Sequence, residues 1–131
     1  MDERLEVLRE TFAAMARGDA QAAVAHYTPD YVIEFPYPVA RGRFEVEGRD
    51  RVRDYLAAAF QVFRFELTIE VVHPAADPEL LIAEYSGRGR ALTTGKPYDN
   101  RYVGFWWFRG GAICRTREYY DQGVATEALT P

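Results

Sequence analysis

Residues 98–120 read YDNRYVGFWWFRGGAICRTREYY. Each half of this segment is rich in aromatic and β-branched residues, which favour strands. Gly110 and Gly111 between the halves are typical of a two-residue hairpin turn. The segment therefore predicts two long antiparallel strands joined by a tight turn.

The turn also predicts a register for the two strands. Counting outward from it pairs Arg109 with Ala112 and, further along, Glu118 with Val103. Paired residues lie on the same face of a sheet. We therefore expect one largely apolar face that carries the following side chains: Arg101, Phe105, Thr116, Glu118 and Tyr120. A three-residue turn would shift this register.

Glu118 is the residue of this face that bears on chemistry. A carboxylate on an apolar face is costly to bury unless it is paired, and desolvation raises its pKa toward values useful in acid–base catalysis. Two interpretations stay open, an acid–base group in a pocket and a salt bridge with Arg101 at the sheet margin. Glu34, beside Phe35 and Pro36, is a second candidate for a pocket carboxylate.

The residues before the hairpin predict helices followed by strands. Helical spacing of apolar residues predicts a helix over 2–17, a short one through Ala25 and another that starts just after Gly48-Arg49-Asp50 and continues to Phe63. Strand patterns occupy 30–35, a segment from Phe65, 79–90, 98–109 and 112–121. Val39 to Glu47 is predicted to be an irregular crossing or a short edge strand, and residues from Gln122 are weakly patterned.

This order predicts a single α+β domain over residues 1–131. Gly87 and Gly89 leave one face of their strand bare, which favours sharp bending of the sheet or a close approach by a helix or ligand. A curved antiparallel sheet wrapped around N-terminal helices would form a cone that encloses a small-molecule pocket. The 9 Tyr, 8 Phe and 2 Trp residues suggest a lined cavity as well as a packed core.

Composition excludes several classes of function. The chain carries 16 basic and 20 acidic residues, a net charge of −4, which argues against nucleic-acid binding. Its longest apolar run, residues 103–108, is far shorter than the roughly 20 residues of a membrane-spanning helix. Cys114 is the single cysteine, so the sequence predicts no internal disulfide and a cytoplasmic location.

Metal-dependent and nucleophilic chemistry have little support in the sequence. His26 and His73 are the only histidines, and neither has the spacing of a paired metal ligand. Ser86 lacks a nucleophile elbow, and Cys114 in a strand-like run is more typical of a small buried residue than of a nucleophile. We expect neither a metal nor a cofactor.

Three stretches resemble the phenazine-biosynthesis A/B proteins. Residues 98–105 with Ile113 and 117–119 are similar to their closing hairpin, residues 46–50 to the entry into their third helix, and residues 84–90 to their central glycine strand. Those proteins belong to the SnoaL-like group of the cone-shaped α+β superfamily that also holds ketosteroid isomerase and nuclear transport factor.

The resemblance implies a small cofactor-free acid–base enzyme of secondary metabolism, with Glu118 as its catalytic residue. Its substrate would be a cyclic carbonyl or enol compound, and the reaction a cyclisation, condensation, isomerisation or dehydration. Arg101 stands where the family has a histidine, and this difference argues against phenazine-type condensation. The Arg101 side chain would instead hold a carboxylate or carbonyl of a flat ligand. The catalytic positions of ketosteroid isomerase correspond to Thr11, Phe35 and Phe105, so steroid isomerisation is not expected.

A non-catalytic small-molecule-binding or accessory protein on the same fold is the alternative. A raised pKa of Glu118 in an enclosed pocket would favour the enzyme, and a lowered pKa with an Arg101 salt bridge the binding protein. The resemblance also implies a homodimer through the outer sheet face, with Trp106 as an interface candidate. The predicted substrate-binding residues are Arg101, Phe35, Phe105, Thr116, Tyr120 and Glu34.

Overall fold

The structure, a computed structural model, describes residues 2–38, 42 and 44–131. Its helices are α1 (Glu3–Ala16), α2 (Ala20–Ala23), α3 (Arg49–Ala59) and α4 (Gln122–Leu129). Its strands are β1 (Tyr27–Phe35), β2 (Phe44–Glu47), β3 (Phe63–His73), β4 (Leu80–Ala91), β5 (Pro97–Arg109) and β6 (Ala112–Tyr120). The predicted α+β architecture is confirmed.

The N-terminal helices form where capping residues and apolar spacing place them. Asp2 caps α1 by accepting from the backbone N–H of Arg4, and Asp19 caps α2 by accepting from that of Ala22. Helix α1 ends at a turn in which Gly18 has a φ of 69°, a conformation that favours glycine. The buried face of α1 packs on the sheet through Leu8, Thr11, Phe12 and Ala14.

Helix α3 is shorter than the apolar spacing predicts. It ends at Ala59, whereas the pattern continues to Phe63. The carbonyl of Val62 accepts a hydrogen bond of 2.7 Å from the N–H of Leu92, so the chain has already joined the sheet there. Phe60 and Phe63 keep a helical spacing because both pack toward the same core.

The six strands form one curved, unclosed sheet in the order β2-β1-β6-β5-β4-β3. Neighbouring strands are antiparallel except β1 and β6, which run parallel. Gly89 lies so close to β3 that an added Cβ would overlap the backbone of Arg64 and Phe65. Gly89 therefore allows β3 and β4 to approach more closely than a residue with a side chain would permit.

Two segments differ in detail from the prediction. Within Val39 to Glu47, an edge strand forms at β2, while residues 39–41 and 43 lie outside the described residues. The weakly patterned C-terminal residues form α4, which Asp121 caps by accepting from the N–H groups of Gly123 and Val124. Helix α4 packs against β4 and β5 and covers one side of the cone.

None of the helices in the described part of the chain combines the length and the apolar character needed to cross a bilayer.

The core lies between the concave face of the sheet and the helices packed on it. Tyr85, Tyr102 and Trp106 from neighbouring strands β4 and β5 fill its centre and are almost completely buried. Side chains of that concave face therefore form the interior of the cone.

Candidate functional site

The hairpin of β5 and β6 starts in the predicted register and then leaves it. Arg109 pairs with Ala112 as expected, but Trp107 pairs with Arg115. Cys114 is therefore the extra residue of a β-bulge. Every residue of β6 after the bulge faces a partner one position later in β5 than the turn alone predicts.

The bulge changes which side chains surround Glu118. The residue of β5 that pairs with it is Gly104, and the side chains on either side of Gly104 on this face are those of Tyr102 and Trp106. The prediction that Arg101 and Phe105 lie on this face is wrong, because the shifted register puts both on the outer face of the sheet. Arg101 is exposed there and forms no salt bridge with Glu118, so that alternative is also contradicted.

A cavity of about 440 Å³ lies inside the cone, between the concave sheet face and α3. Its size falls within the roughly 300–1,000 Å³ typical of small-molecule sites. Apolar and aromatic side chains dominate its walls, including Ile33, Phe35, Leu56, Phe60, Phe65 and Trp106. Among the lining residues that the structure describes, Glu118 is the only one with an acidic or basic side chain.

Glu118 is held by a hydrogen bond in which Tyr85 Oη donates to Glu118 Oε2. Burial raises the pKa of Glu118 from 4.5 to about 7, against the lowering effect of that hydrogen bond. The pKa of Tyr85 lies well above its ordinary value, chiefly because of burial, so its hydroxyl remains a donor. Glu118 can therefore take up and return a proton near neutral pH.

Gly104 provides the space for this arrangement. It pairs with Glu118 across the hairpin, and an added Cβ would overlap Tyr85 Oη and Trp106 Nε1. A larger residue would displace both polar atoms from the side of the cavity that holds the carboxyl. The missing side chain therefore lets Tyr85 reach Glu118 from the neighbouring strand.

Two tyrosines that line the cavity, Tyr98 and Tyr102, are joined through their hydroxyls. Tyr98 Oη and Tyr102 Oη lie 2.7 Å apart, and Asn100 Nδ2 donates to Tyr98 Oη over 2.9 Å. The rings of Tyr102 and Tyr85 stack with their centroids 5.3 Å apart. Tyr102 therefore lies directly against the residue that holds Glu118.

Three of the predicted site residues lie on the inner face with Glu118. Phe35 and Tyr120 line the cavity, and their rings meet edge to face with centroids 6.0 Å apart. Thr116 is completely buried beneath the wall, where its Oγ1 accepts a hydrogen bond of 2.7 Å from Tyr31 Oη. Thr116 thus supports the wall without lining the cavity.

Glu34 does not enter the cavity, so its prediction as a second pocket carboxylate is wrong. It lies between Ile33 and Phe35 in β1, and alternation along the strand turns it to the opposite face. Its completely buried carboxylate accepts from Arg117 Nε over 2.7 Å and pairs with Arg115 at 3.4 Å. Glu34 is part of an ion-pair cluster of the outer face.

The outer face carries a partly exposed aromatic patch made of Phe105, Trp107 and Tyr119. The ring centroids of Phe105 lie 6.1 Å from Trp107 and 6.0 Å from Tyr119, and the Arg117 guanidinium lies 5.4 Å from the Trp107 ring centre. Trp106, the predicted interface residue, is 1% exposed on the inner face. The prediction that Trp106 lies on the outer face is therefore wrong, and Trp107 is the tryptophan of that face.

In residues 2–38, 42 and 44–131, no three His, Cys, Asp or Glu side chains converge in a geometry that could hold a metal ion. His26 pairs with Glu10 at 2.6 Å, and His73 pairs with Glu84 at 2.5 Å, both at the surface. Neither histidine lines the cavity.

Sequence reasoning missed the inner-face partners of Glu118, namely Tyr85, Tyr98, Tyr102 and Gly104. The period-two recurrence of Tyr98, Tyr102 and Trp106 in β5 was the available signal, since it marks one aromatic face. That face was assigned away from Glu118 because nothing in the sequence indicated a bulge at Cys114. One extra residue therefore concealed the site.

The fold and the cavity together define a cone-shaped α+β protein with an internal, largely apolar cavity. Residues 8–116 match the model of the SnoaL-like domain, and the chain belongs to this family.

Relatives and solved structures agree with that assignment. A PhzA/B-like protein of Pseudomonas aeruginosa is 27% identical over 95% of this chain and 88% of its own length. A Bacillus subtilis structure described as a candidate isomerase is 30% identical, covers 98% of this chain and 96% of its own, and has a TM-score of 0.88. A candidate polyketide cyclase of Xanthomonas campestris shares the fold, with 22% identity over 98% and 97% of the two chains and a TM-score of 0.81.

Proposed function

We propose that this protein is a cofactor-free acid–base enzyme that isomerises or cyclises a cyclic carbonyl or enol substrate inside the cone. The observation that carries the proposal is the single carboxyl group of the described cavity lining, that of Glu118, with its pKa raised to about 7 by burial. A group poised near the working pH is suited to general acid–base catalysis. The isomerase and cyclase descriptions of similar structures support the same reaction class.

The proposed chemical step is a proton transfer at carbon. Ionised Glu118 takes a proton from the carbon next to the substrate carbonyl, and the electrons of that C–H bond move to the oxygen to form an enolate. The protonated carboxyl then returns the proton to another carbon or to the oxygen. Tyr85, which donates to Glu118 Oε2, orients the carboxyl and leaves the other oxygen for the substrate.

The charges of the cavity favour an uncharged substrate. No arginine, lysine or histidine is among its described lining residues, so none of these residues would offset the repulsion between a ligand carboxylate and Glu118. The sequence predicts a ligand with a carboxylate or a carbonyl held by Arg101. The position of Arg101 on the outer face removes the reason to expect the carboxylate, and we keep the carbonyl. Aromatic walls favour a flat ring, and the polyketide cyclase description of one neighbour supports a role in secondary metabolism.

Hydrogen–deuterium exchange tests the chemistry without the natural substrate. A bicyclic ketone such as 1-tetralone, incubated with the protein in D₂O, should exchange its α-protons faster than in buffer, as followed by NMR. Glu118→Gln should reduce the protein-dependent rate by about 10²-fold or more. Glu66→Gln, at an exposed position of β3, is the matched control and should leave the rate unchanged. Equal rates in wild-type protein and the Glu118 variant would contradict the proposal.

A binding protein for small organic cations is a second candidate. Aromatic rings around one carboxylate are the features that recognise ammonium groups, and both occur in the cavity. At pH 8.5, choline should then stabilise the protein in thermal unfolding more than its uncharged carbon analogue 3,3-dimethylbutan-1-ol does. The enzyme proposal expects the reverse order, together with α-proton exchange.

We also propose that the protein is a cytoplasmic homodimer. The aromatic patch of Phe105, Trp107 and Tyr119 is a larger apolar surface than isolated exposed residues provide, and the single free Cys114 suits a reducing compartment. Light scattering should give twice the chain mass of 15.0 kDa. Trp107→Lys should produce monomers, whereas the control Val71→Lys, at an exposed apolar position of β3, should not. A wild-type monomer would exclude the dimer.

A further inference from the structure

The hydrogen bonds around Asn100 determine which way its amide points. Asn100 Oδ1 accepts from the N–H groups of Arg101, over 2.7 Å, and of Asp121, over 3.2 Å. Its Nδ2 donates to the Asp121 carbonyl over 3.0 Å and to Tyr98 Oη over 2.9 Å. A flipped amide would face two donors with its NH₂ group, so only one orientation satisfies the site.

This orientation sets the direction of the hydrogen bonds in the cavity wall. An amide NH₂ group has no free lone pair, so Tyr98 Oη must accept from Asn100. The pair of hydroxyls formed by Tyr98 and Tyr102 then has two O–H protons for its single mutual hydrogen bond of 2.7 Å. One O–H proton is left over, and the described residues provide no acceptor for it although Tyr98 and Tyr102 are 3% and 6% exposed.

Cooperativity places the spare proton on Tyr102. A hydroxyl that accepts a hydrogen bond becomes a better donor, so the arrangement in which Asn100 donates to Tyr98 and Tyr98 donates to Tyr102 is favoured. We infer that the Tyr102 hydroxyl donates a hydrogen bond to the oxygen of the ligand in the cavity, with Tyr98 and Asn100 strengthening it from behind. This inference rests on the proposed function and identifies the substrate as one with an acceptor oxygen on its ring.

The position of Tyr102 suits this role. Its ring stacks on that of Tyr85, which holds Glu118, so donor and carboxyl serve the same side of the cavity. Burial and the nearby Glu118 charge raise the pKa of Tyr102 and of Tyr98, the latter to about 12. Both hydroxyls therefore keep their protons throughout the neutral range and can stabilise negative charge that develops on a substrate oxygen.

The test compares two ligands that differ by one oxygen, 1-tetralone and the hydrocarbon tetralin, in competition binding at pH 8.5. At this pH Glu118 is largely ionised, since its pKa is about 7, and cannot donate a hydrogen bond itself. Wild-type protein should prefer the ketone, and Tyr102→Phe should reduce that preference by about 3- to 10-fold, the scale of one lost neutral hydrogen bond. Tyr98→Phe should reduce the preference by a smaller factor. The control Tyr37→Phe removes the hydroxyl of a tyrosine that is 63% exposed and should leave the preference unchanged.

A second readout separates hydrogen bonding from a structural effect. The ¹³C carbonyl resonance of bound, labelled 1-tetralone should move downfield in wild-type protein and return toward its free position in Tyr102→Phe. An unchanged resonance and an unchanged ketone preference in a folded Tyr102→Phe protein would overturn the inference. Neither of these two readouts needs turnover. If wild-type protein prefers the ketone but does not speed α-proton exchange, the result contradicts the proposed enzymatic function and leaves the hydrogen bond from Tyr102 standing.

Discussion

Replacing Glu118 by glutamine should remove a pH-dependent cost from the stability of the fold. The pKa of Glu118 is raised from 4.5 to about 7 by burial, so between these values the folded state binds more protons than the unfolded chain. Stability must then fall as pH rises through this window. The cost is absent below about pH 4.5 and complete above about pH 7.

The size of the effect follows from the pKa difference. Between pH 5 and pH 8.5 the carboxylate should cost about 2–3 kcal/mol, at 1.36 kcal/mol per pKa unit. Glutamine keeps the shape of the side chain, and its amide oxygen can still accept from Tyr85, but it cannot ionise. The difference in free energy of unfolding, Glu118→Gln minus wild type, should therefore rise by about 2–3 kcal/mol over this range, or roughly 8 °C in Tm.

Urea unfolding at several pH values measures this difference directly. Glu66→Gln, the exposed control in β3, makes the same chemical change outside the cone and should run parallel to wild type. A Glu118→Gln curve that also runs parallel to wild type would refute the reasoning, since it would mean that the carboxyl is not desolvated in the folded state.

Three further substitutions test the surroundings of Glu118 and the outer face. Tyr85→Phe removes the hydrogen bond that lowers the pKa of Glu118. The pKa of Glu118 should therefore rise by about one unit or more, as measured by ¹³C NMR titration of the carboxyl. An unchanged or lower pKa would contradict the hydrogen bond between Tyr85 and Glu118. Gly104→Ala should destabilise the protein by about 1–3 kcal/mol through overpacking against Tyr85, and a wild-type urea midpoint would rule that crowding out. Glu34→Gln should lower the free energy of unfolding by about 1.5–3 kcal/mol, because it weakens the buried ion pairs of the outer face. The rate of α-proton exchange per folded molecule should stay at the wild-type level. Loss of this exchange would place Glu34 in the site after all.

The fold was accessible from sequence because its signals are local. The caps of α1 and α2, the period-two pattern of β3 and the Gly110-Gly111 turn each depend on neighbouring residues, and the structure places these elements within a few residues of the predicted bounds. Helix α4 lacked a strong apolar pattern, and its formation depends on packing against β4 and β5 as well as on the Asp121 cap.

The site was only partly accessible for the opposite reason. Glu118 was selected because a carboxylate stands out in an apolar strand, and that argument holds on either face of the sheet. Its neighbours depend on register over nine residues of β6, and the β-bulge at Cys114 depends on how β6 fits between β1 and β5. Arg101 and Phe105 were therefore assigned to the wrong face, and Tyr85, Tyr98 and Tyr102 were overlooked.

The bulge at Cys114 makes the face on which Glu118 lies depend on how the last strand pairs as well as on the identity of its residues. If β6 paired straight through from the turn with Cys114 kept in the ladder, Arg115 and Arg117 would turn into the cone while Glu118 turned out to solvent. Loss of Cys114 itself would not do this, because Arg115 would then follow Ile113 directly and keep Trp107 as its partner. A shift of one residue in pairing thus inverts the charge of the interior with no side chain altered, whereas a deletion at the bulge leaves the internal acid in place.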